Sequence, residues 1–333
     1  YIMICISGKG CYEAATITLA KHLTTSKNVA IKRTHVEKIK FDISVLQREI
    51  ILTKQLNCDK VLHHYSSFVH GKEVWTIMPL MAYGSAKDLL HAYFTTGLPE
   101  QAISYILRDV VVALEYLHHR GIIHRSVRAS HILIAASGKV CLSGLRNAYC
   151  LINHGVKTKL AHEYPENGLT SLQWLSPEIL EQNLGGYDSK SDIYSLGVTA
   201  CEVANGHAPF ADMPLTQMLL EKLSGTKPVL ADSTAVADLM ADEISGVQDS
   251  GLGTETNQTS EIIEVAKTRK FSNSFHNFTD ICLEKEPKSR PTAAALQSHS
   301  FVKHLKKRTS DVLPGLLQPL SPLTDISKLP KGK

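Results

Sequence analysis

The stretch that decides the fold is HHRGIIHRSVRASHIL, residues 118–133. It begins at the end of a segment, Ala102–His119, whose apolar residues recur at helical spacing and predict a helix with one buried face. A loop rich in histidine and arginine follows and leads into the apolar pair Ile132-Leu133.

The loop His124–Leu133 has the framework of the catalytic loop of protein kinases without its reactive groups. In that loop an Asp accepts the proton of the substrate hydroxyl, and an Asn holds a magnesium ion. Ser126 stands at the position of the Asp, and His131 stands at the position of the Asn. A serine hydroxyl is no general base near neutral pH, and Mg²⁺ requires hard oxygen ligands that an imidazole does not offer.

The metal-binding Asp of the kinase D-F-G motif is also replaced. Leu142–Arg146 follows the loop at the expected distance and places Gly144 at the position of the Asp. Arg146 could itself neutralise phosphate charge through bidentate hydrogen bonds; the alternative is that it is simply an exposed loop residue. The sequence therefore predicts no catalytic residue and no metal site.

The first 80 residues retain groups that hold the phosphates of ATP in kinases. The β-rich run Val29–Lys32 ends in a lysine, and Glu49 lies on the inward side of a helix predicted over residues 41–56. In kinases this lysine and glutamate form an ion pair beside the α- and β-phosphates. A glycine-rich loop begins with Gly8-Lys9-Gly10 but lacks the third glycine of the motif, so we expect it to contact phosphate loosely.

Motifs that support the kinase architecture are retained. Trp174–Glu178 matches the A-P-E end of an activation segment, Asp192 opens a helix that is apolar on nearly all sides, and Arg290 comes late in the chain. In kinases the Glu of A-P-E pairs with this Arg, and the Asp supports the catalytic loop. A chain that keeps these residues but lacks the base and both metal ligands is expected to keep its fold for its shape.

We expect an α+β, bilobal protein-kinase-like fold: a small antiparallel-sheet lobe with one key helix and a large, mainly helical lobe. The small lobe should comprise residues 1–80 and the large lobe residues 81–308. Within the large lobe, the polar segment at about 231–272 predicts a disordered insertion. Residues 309–333 contain several prolines and predict an extended tail.

Composition argues against several other classes of protein. The chain has 333 residues, 43% hydrophobic and 20% charged, which is typical of a globular protein. Its net charge is only +4, and the dense basic run Lys303–Arg308 is better interpreted as the solvated end of a helix than as a surface for nucleic acid. Seven scattered cysteines without a C-x-x-C pair argue against disulfides and zinc, and no apolar stretch predicts a membrane span.

Several stretches resemble the STRAD pseudokinases, the STE20-related adaptors, more specifically than they resemble any active kinase. The resemblance runs from about residue 6 to 325, apart from the polar insertion. The stretches that carry it are Met81–Leu89, His124–Leu133, Leu142–Arg146, Trp174–Glu178 and Gly186–Ser195. One departure is that the Trp-Glu-Phe end of the family, which docks on a scaffold protein, is not found after Lys328-Leu329-Pro330.

The resemblance implies an inactive adaptor that binds ATP without a metal ion and adopts a closed, active-like shape. It implies that the large lobe binds a client serine/threonine kinase of the liver-kinase type as a pseudosubstrate and activates it allosterically. An armadillo-like helical-repeat scaffold protein would clamp both, and the complex would act in the cytoplasm and nucleus, on cell polarity among other processes; neither nucleic acid nor membrane is expected as a partner. The nucleotide-binding residues that we expect are Gly8, Lys9, Gly10, Lys32, Glu49, Met81, Arg128 and Arg146.

Two other functions stay open. One is a weak kinase with an atypical, metal-free mechanism, although the loss of a general base typically costs about 10²- to 10⁴-fold in rate. The other is a kinase-fold scaffold that binds no nucleotide. Thermal stabilisation by ATP separates this scaffold from the adaptor, because a ligand that binds only the folded state raises its melting temperature.

Overall fold

The computed structural model describes most of the chain, in several ranges. These are residues 1–10, 14–153, 155–165, 171–182, 184–235, 264, 266–305, 307–318, 320 and 322–323. For residues 5–10 and 153 it describes the backbone alone.

The first part of the chain folds into an antiparallel sheet of five strands with one helix. The strand order is β1-β2-β3-β5-β4. The predicted strands and the predicted helix are confirmed, whereas β1 and β4 were not expected. β4 is mostly exposed, so it lacks the alternation of apolar and polar residues that reveals a strand. The elements are β1 (Ile2–Gly10), β2 (Ala15–Lys21), β3 (Asn28–His35), α1 (Ile43–Gln55), β4 (Ser66–His70) and β5 (Glu73–Pro79).

The second part is mainly helical, with short strands around the predicted loop. Strands β6, β8 and β9 form one small sheet, β7 pairs with β10, and β11 pairs with β12. The strands are β6 (Gly84–Ser85), β7 (Ile122–Ile123), β8 (Ile132–Ile134), β9 (Val140–Leu142), β10 (Tyr149–Cys150), β11 (Ile152–Asn153) and β12 (Val156–Lys157). The helices are α2 (Ala86–Ala92), α3 (Glu100–His119), α4 (Pro177–Leu180), α5 (Lys190–Asn205), α6 (Leu215–Ser224), α7 (Asn273–Cys282), α8 (Ala293–Leu296), α9 (Ser300–Lys303) and α10 (Thr309–Leu316). The predicted α+β fold, a sheet lobe followed by a helical lobe, is confirmed.

Two long helices form the base on which the loop rests. On α3 the predicted apolar face is fully buried, with Ile103, Ile106 and Leu114 among its residues. On α5 every residue from Ser191 to Asn205 is buried, as the apolar sequence on all sides predicts. The loop after α3 is therefore held against a rigid hydrophobic core.

The ion pair expected between the activation segment and the late arginine is present. Arg290 Nη1 and Nη2 donate to the two carboxylate oxygens of Glu178 at 2.6 and 2.8 Å. Arg290 is only 1% exposed, and its Nε donates to the carbonyl of Glu284 at 2.6 Å. A bidentate pair whose remaining donors are also satisfied is the arrangement in which a buried charge is tolerated.

The prediction of an extended tail from residue 309 is wrong for its first part, which forms α10. Pro314 lies inside this helix, and that proline misled the prediction. Leu313 and Leu317, one helical turn apart, are fully buried in the core of the large lobe. The burial of these leucines outweighs the helix-breaking tendency of the proline.

The prediction of disorder across 231–272 is wrong at both ends of that segment. Asp232 is fully buried and accepts hydrogen bonds from the backbone N–H of Phe271 at 3.0 Å and from His276 Nε2 at 2.8 Å. This buried carboxylate joins the two ends of the segment, an interaction that a composition rule does not detect. Residues 236–263 and 265 lie outside the described residues.

Across the helices that the structure describes, none combines the length and the apolar character needed to cross a membrane.

Candidate functional site

A cleft of about 400 Å³ lies between the sheet and the loop. It brings together most of the residues singled out in the sequence, and these come from strands, helix and loops that are far apart in the chain. They are Lys32, Glu49, Ser126, Arg128, His131, Gly144 and Arg146. Met81 lies just beyond β5 and is half-buried, but it is not among the residues that line the cleft. Gly8, Lys9 and Gly10 lie on β1, where Gly8 pairs with Ile17, and only their backbone is described.

One end of the cleft is apolar. Ile17, Met78 and Leu133 line it and pack in a cluster that also contains Ala30 and Met81. Sequence reasoning missed Ile17, Met78 and Leu133 as site residues, and Ala30 as a member of the cluster behind them. Strand periodicity offered a signal for Ala30, because it lies two residues before Lys32 on β3 and therefore faces the same side of the sheet.

The expected ion pair lies near the middle of the cleft. Lys32 Nζ is 3.4 Å from Glu49 Oε1. Lys32 comes from β3 and Glu49 from the buried face of α1, so the pair joins the helix to the sheet. The backbone carbonyl of Glu49 also accepts a hydrogen bond from Thr53 Oγ1 at 2.7 Å. This second bond lies within α1, so the ion pair itself is the contact between the Glu49 side chain and the sheet.

The loop is fixed from beneath by Asp192, as expected. Its carboxylate accepts hydrogen bonds from the backbone N–H of His124 and of Arg125, both at 2.8 Å, and from His118 Nε2 at 2.8 Å. Burial alone would raise the pKa of Asp192, but the hydrogen bond and charge of His118 and the contact with His124 bring it below its ordinary value. Asp192 therefore supports the loop as a carboxylate.

His131 is a neutral imidazole whose two nitrogens are both engaged. Its Nδ1 donates to the carbonyl of Ser126 at 2.7 Å, and its Nε2 accepts from Arg128 Nη2 at 3.3 Å, partners that assign the proton to Nδ1. Burial, followed by the charge of Arg128, lowers the pKa of His131 well below its ordinary value. The lone pair that could bind a metal ion thus faces a guanidinium group instead.

The residue at the second metal position, Gly144, lies directly against that imidazole. A Cβ atom at residue 144 would lie 2.5 Å from the ring of His131, and the φ angle of Gly144 is +85°. Only glycine fits both the space and the backbone conformation. No side chain at this position can therefore supply a metal ligand while His131 keeps its place.

Two arginines complete the polar end of the cleft. Arg146 is half-buried, rather than exposed in a loop, and its guanidinium group lies 4.8 Å from the ring centroid of Phe41, just before α1. Arg128 lies 5.7 Å from the ring centroid of Trp174. Both distances are typical of cation–π contacts, which fix the plane of a guanidinium group.

The ring beneath Arg128 is itself held by a buried carboxylate. Trp174 Nε1 donates to Glu202 Oε2 at 2.8 Å, and the backbone N–H of Ala129 donates to the same oxygen at 3.0 Å. Glu202 is 2% exposed, and burial raises its pKa. This contact links the loop, the activation segment and α5, and sequence reasoning missed it.

The charge of the cleft is positive. Its lining contains the cations Lys32, Arg128 and Arg146 and a single carboxylate, Glu49. His64 also lines the cleft, but burial lowers its pKa to about 4, so it is neutral at pH 7. Within the described part of the chain, no group of three or more His, Cys, Asp or Glu residues could hold a metal ion. The arrangement suits an anionic ligand with an apolar ring.

Comparison with known proteins extends the similarity through both lobes. The protein kinase domain matches residues 6–302. STE20-related kinase adapter protein alpha of Gallus gallus is 44% identical over 98% of this chain and 86% of its own length. The alpha protein of Homo sapiens is 44% identical over 98% of this chain and 78% of its own length, and the human beta protein is 39% identical over 94% and 77%.

Proposed function

The chain belongs to the protein kinase domain family and, within it, to the STE20-related kinase adaptors, and from this we propose that it is a catalytically inactive adaptor that binds ATP without a metal ion and activates a client serine/threonine kinase. One observation carries the proposal. The cleft joins an apolar slot to three cations, while Ser126, His131 and Gly144 stand where a kinase needs its base and metal ligands.

The geometry of the replaced positions supports the lack of phosphoryl transfer. Ser126 offers a hydroxyl group in place of a carboxylate, and Gly144 offers no side chain. His131 directs its only lone pair at Arg128. Losing a general base costs about 10²- to 10⁴-fold in rate, and losing the metal ions that neutralise charge between the phosphates adds to it.

The remaining groups fit a nucleotide. The slot formed by Ile17, Met78 and Leu133 would take the purine ring, which stacks well between apolar side chains. Lys32, Arg128 and Arg146 would face the phosphate chain, and guanidinium groups bind phosphate in a bidentate manner. In this assignment the arginines supply the positive charge that Mg²⁺ supplies in an active kinase, and the bound nucleotide is a structural ligand.

The described residues of the activation segment at Asn147 and Glu163 are held by contacts that need no phosphate, and this supports a role as a preformed surface. Arg125 Nη1 donates to the carbonyl of Glu163 at 2.9 Å and to the hydroxyl of Tyr187 at 3.0 Å. Arg125 Nε donates to the carbonyl of Asn147. In many kinases such an arginine orders the segment by binding a phosphorylated residue, whereas here backbone carbonyls take that part.

The client, the scaffold and the location in the cell complete the proposal and rest on family membership. We assign the client to the liver-kinase type, with the large lobe binding it as a pseudosubstrate, and a helical-repeat protein as the scaffold of a cytoplasmic and nuclear complex. Activation without chemistry requires only that the adaptor bind the active state of the client more tightly than the inactive state. A tenfold shift needs about 1.4 kcal/mol of differential affinity.

Thermal stabilisation by ATP tests the proposal, measured once with Mg²⁺ and once with EDTA. We expect stabilisation in both buffers, and we expect it to disappear in Lys32→Ala. The matched control is Lys87→Ala, which removes an exposed lysine outside the cleft. Stabilisation that requires Mg²⁺ would contradict the metal-free mode, and no stabilisation in either buffer would leave the nucleotide-independent scaffold.

The activating role requires a second measurement. The activity of a purified client kinase of the proposed type is assayed at saturating ATP in three reactions. The client is present alone, with the wild-type protein, or with the Lys32→Ala variant, which we expect not to bind ATP. We expect client activity to rise with the wild type and to rise less with the variant. If the protein binds the client without changing its activity, the activating role is wrong and the protein is a passive scaffold.

A further inference from the structure

A strap of chain after α9, consisting of residues 307–318, 320 and 322–323, runs along the outside of the large lobe. Its helix α10 is anchored by Leu313 and Leu317, which are fully buried. At its start, Arg108 of α3 donates to Thr309 Oγ1 at 2.7 Å. These contacts hold α10 against the large lobe.

The far end of the strap contacts the hinge that follows β5. The backbone N–H of Leu323 donates to the carbonyl of Ala82 at 2.9 Å. The neighbouring hinge groups are also paired: Tyr83 N–H donates to the carbonyl of Ile134 at 3.0 Å, and Gly84 N–H donates to the carbonyl of Met81 at 2.9 Å. The contact from Leu323 is the one in this set that comes from outside the kinase-like core.

We propose that Leu323 is a positioning residue of the nucleotide cleft, which acts through the carbonyl of Ala82. Ala82 is 3% exposed with the strap in place, so the hydrogen bond from Leu323 is shielded from water. The adjacent Met81 packs against the cluster that contains Ile17 and Leu133, the apolar slot of the cleft. A hinge that turns at Ala82 displaces Met81 and changes the shape of that slot. The inference rests on the proposed nucleotide binding and adds a second element that controls it.

The test uses the full chain and changes one hydrogen bond. Leu323→Pro removes the backbone N–H that donates to Ala82. Leu323→Ala is the matched control, because it shortens the side chain and keeps the N–H. The first measurement is the affinity for ATP in EDTA by calorimetry. The second is hydrogen exchange of the hinge peptide that contains residues 82–84.

We expect Leu323→Pro to weaken ATP binding about three- to tenfold, the range for one lost hydrogen bond, and to speed exchange of the hinge amides. Leu323→Ala should resemble the wild type in both measurements. Equal ATP affinity and equal hinge exchange in the wild type and Leu323→Pro would overturn the inference, as would equal effects of the two substitutions.

Failure of the proposed ATP binding remains distinguishable from failure of this inference. If the wild type binds no ATP, the nucleotide part of the proposed function is wrong. Hinge exchange then decides the positioning role alone, since it needs no ligand: faster exchange only in Leu323→Pro supports it, and unchanged exchange overturns it.

Discussion

The imidazole of His131 fills the space that a side chain at residue 144 would need. A Cβ on Gly144 would lie 2.5 Å from Cγ and Nδ1 of that ring. Kinases carry Asn and Asp at these two positions, both of them metal ligands. The two replacements in this chain are therefore one structural unit, because the histidine ring requires the glycine.

Restoring the aspartate alone is expected to damage the fold without restoring a metal site. Gly144→Asp must place a side chain at a φ of +85° and against the His131 ring, so the free energy of unfolding should fall by about 2–4 kcal/mol. Denaturant unfolding measures this change. Addition of Mg²⁺ should not stabilise the variant.

The double variant Gly144→Asp with His131→Asn provides the control. Because the asparagine removes the ring that causes the clash, the double variant should recover part of the stability that Gly144→Asp loses. The strain from the backbone angle should remain. If the losses of the two single variants simply add, the two positions are independent and the relationship proposed here is wrong.

Acid is expected to destabilise the protein through histidines that fold in the neutral form. Burial lowers the pKa of His64 to about 4, and burial with the charge of Arg128 lowers the pKa of His131 well below its ordinary value. Below about pH 6.5 the unfolded chain binds protons at these residues and the folded protein does not. Stability should therefore fall as the pH falls below about 6.5, by up to about 1.4 kcal/mol per pH unit for each histidine.

His64→Leu tests this pH dependence. The variant should show a smaller slope of unfolding free energy against pH between about pH 6.5 and about pH 4, by close to one proton. His91→Leu, which removes an exposed histidine on α2, is the control for the loss of an imidazole. Equal slopes in wild type and His64→Leu would show that His64 is protonated in the folded protein.

The hydroxyl of Tyr187 is expected to hold the activation segment in place. It accepts from Arg125 Nη1 at 3.0 Å and donates to the carbonyl of Glu163. Tyr187→Phe should lower the free energy of unfolding by about 1–3 kcal/mol, since it removes two hydrogen bonds and leaves Arg125 Nη1 and the Glu163 carbonyl bonded only to each other. It should also speed proteolysis and hydrogen exchange near residues 161–165. Tyr93→Phe, at an exposed tyrosine on the surface, should change neither.

The sequence was sufficient for the parts of the site that depend on motif spacing. Lys32 and Glu49 were paired from the order of a strand and a helix, and the structure brings their charged atoms to 3.4 Å. Ser126, His131 and Gly144 were placed together because the kinase template fixes their separation. In each case the backbone of the motif fixes where the residue lies, and this determines where its side chain is found.

The parts that could not be predicted depend on packing between distant segments. Leu133 joins Ile17 in the apolar slot only once the two lobes face each other across the cleft. Glu202 lies on α5, whose sequence predicts burial on all sides and does not single this residue out. Its hydrogen bond to Trp174 depends on the packing of α5 against the activation segment. The helix at the start of the tail was missed because Pro314 suggested an extended chain, whereas the burial of two leucines decided the outcome.

The proposed metal-free binding of ATP relies on Arg128 to supply part of the positive charge that Mg²⁺ supplies in an active kinase. It lies in the cleft with its guanidinium group 5.7 Å from the Trp174 ring centroid and 3.3 Å from His131 Nε2. A planar guanidinium group can stack on the ring and bind phosphate oxygens at its edge, whereas a lysine ammonium group keeps the charge but lacks the plane. Arg128→Ala should weaken ATP binding in EDTA by about tenfold or more, the usual effect of removing a charge-assisted hydrogen bond.

Arg128→Lys separates charge from geometry. If charge alone matters, Arg128→Lys binds ATP like the wild type; we expect instead an affinity between those of the wild type and Arg128→Ala, because the stacked, bidentate arrangement is lost.

Trp174→Phe should lose less ATP affinity than Trp174→Leu, since phenylalanine keeps a ring beneath the guanidinium group and removes only the Nε1 hydrogen bond to Glu202. Isothermal calorimetry with and without Mg²⁺ measures all four variants. ATP affinity that Mg²⁺ restores in Arg128→Ala would show that the arginine and the metal ion do the same electrostatic work, whereas equal affinity in wild type and Arg128→Ala would remove Arg128 from the site.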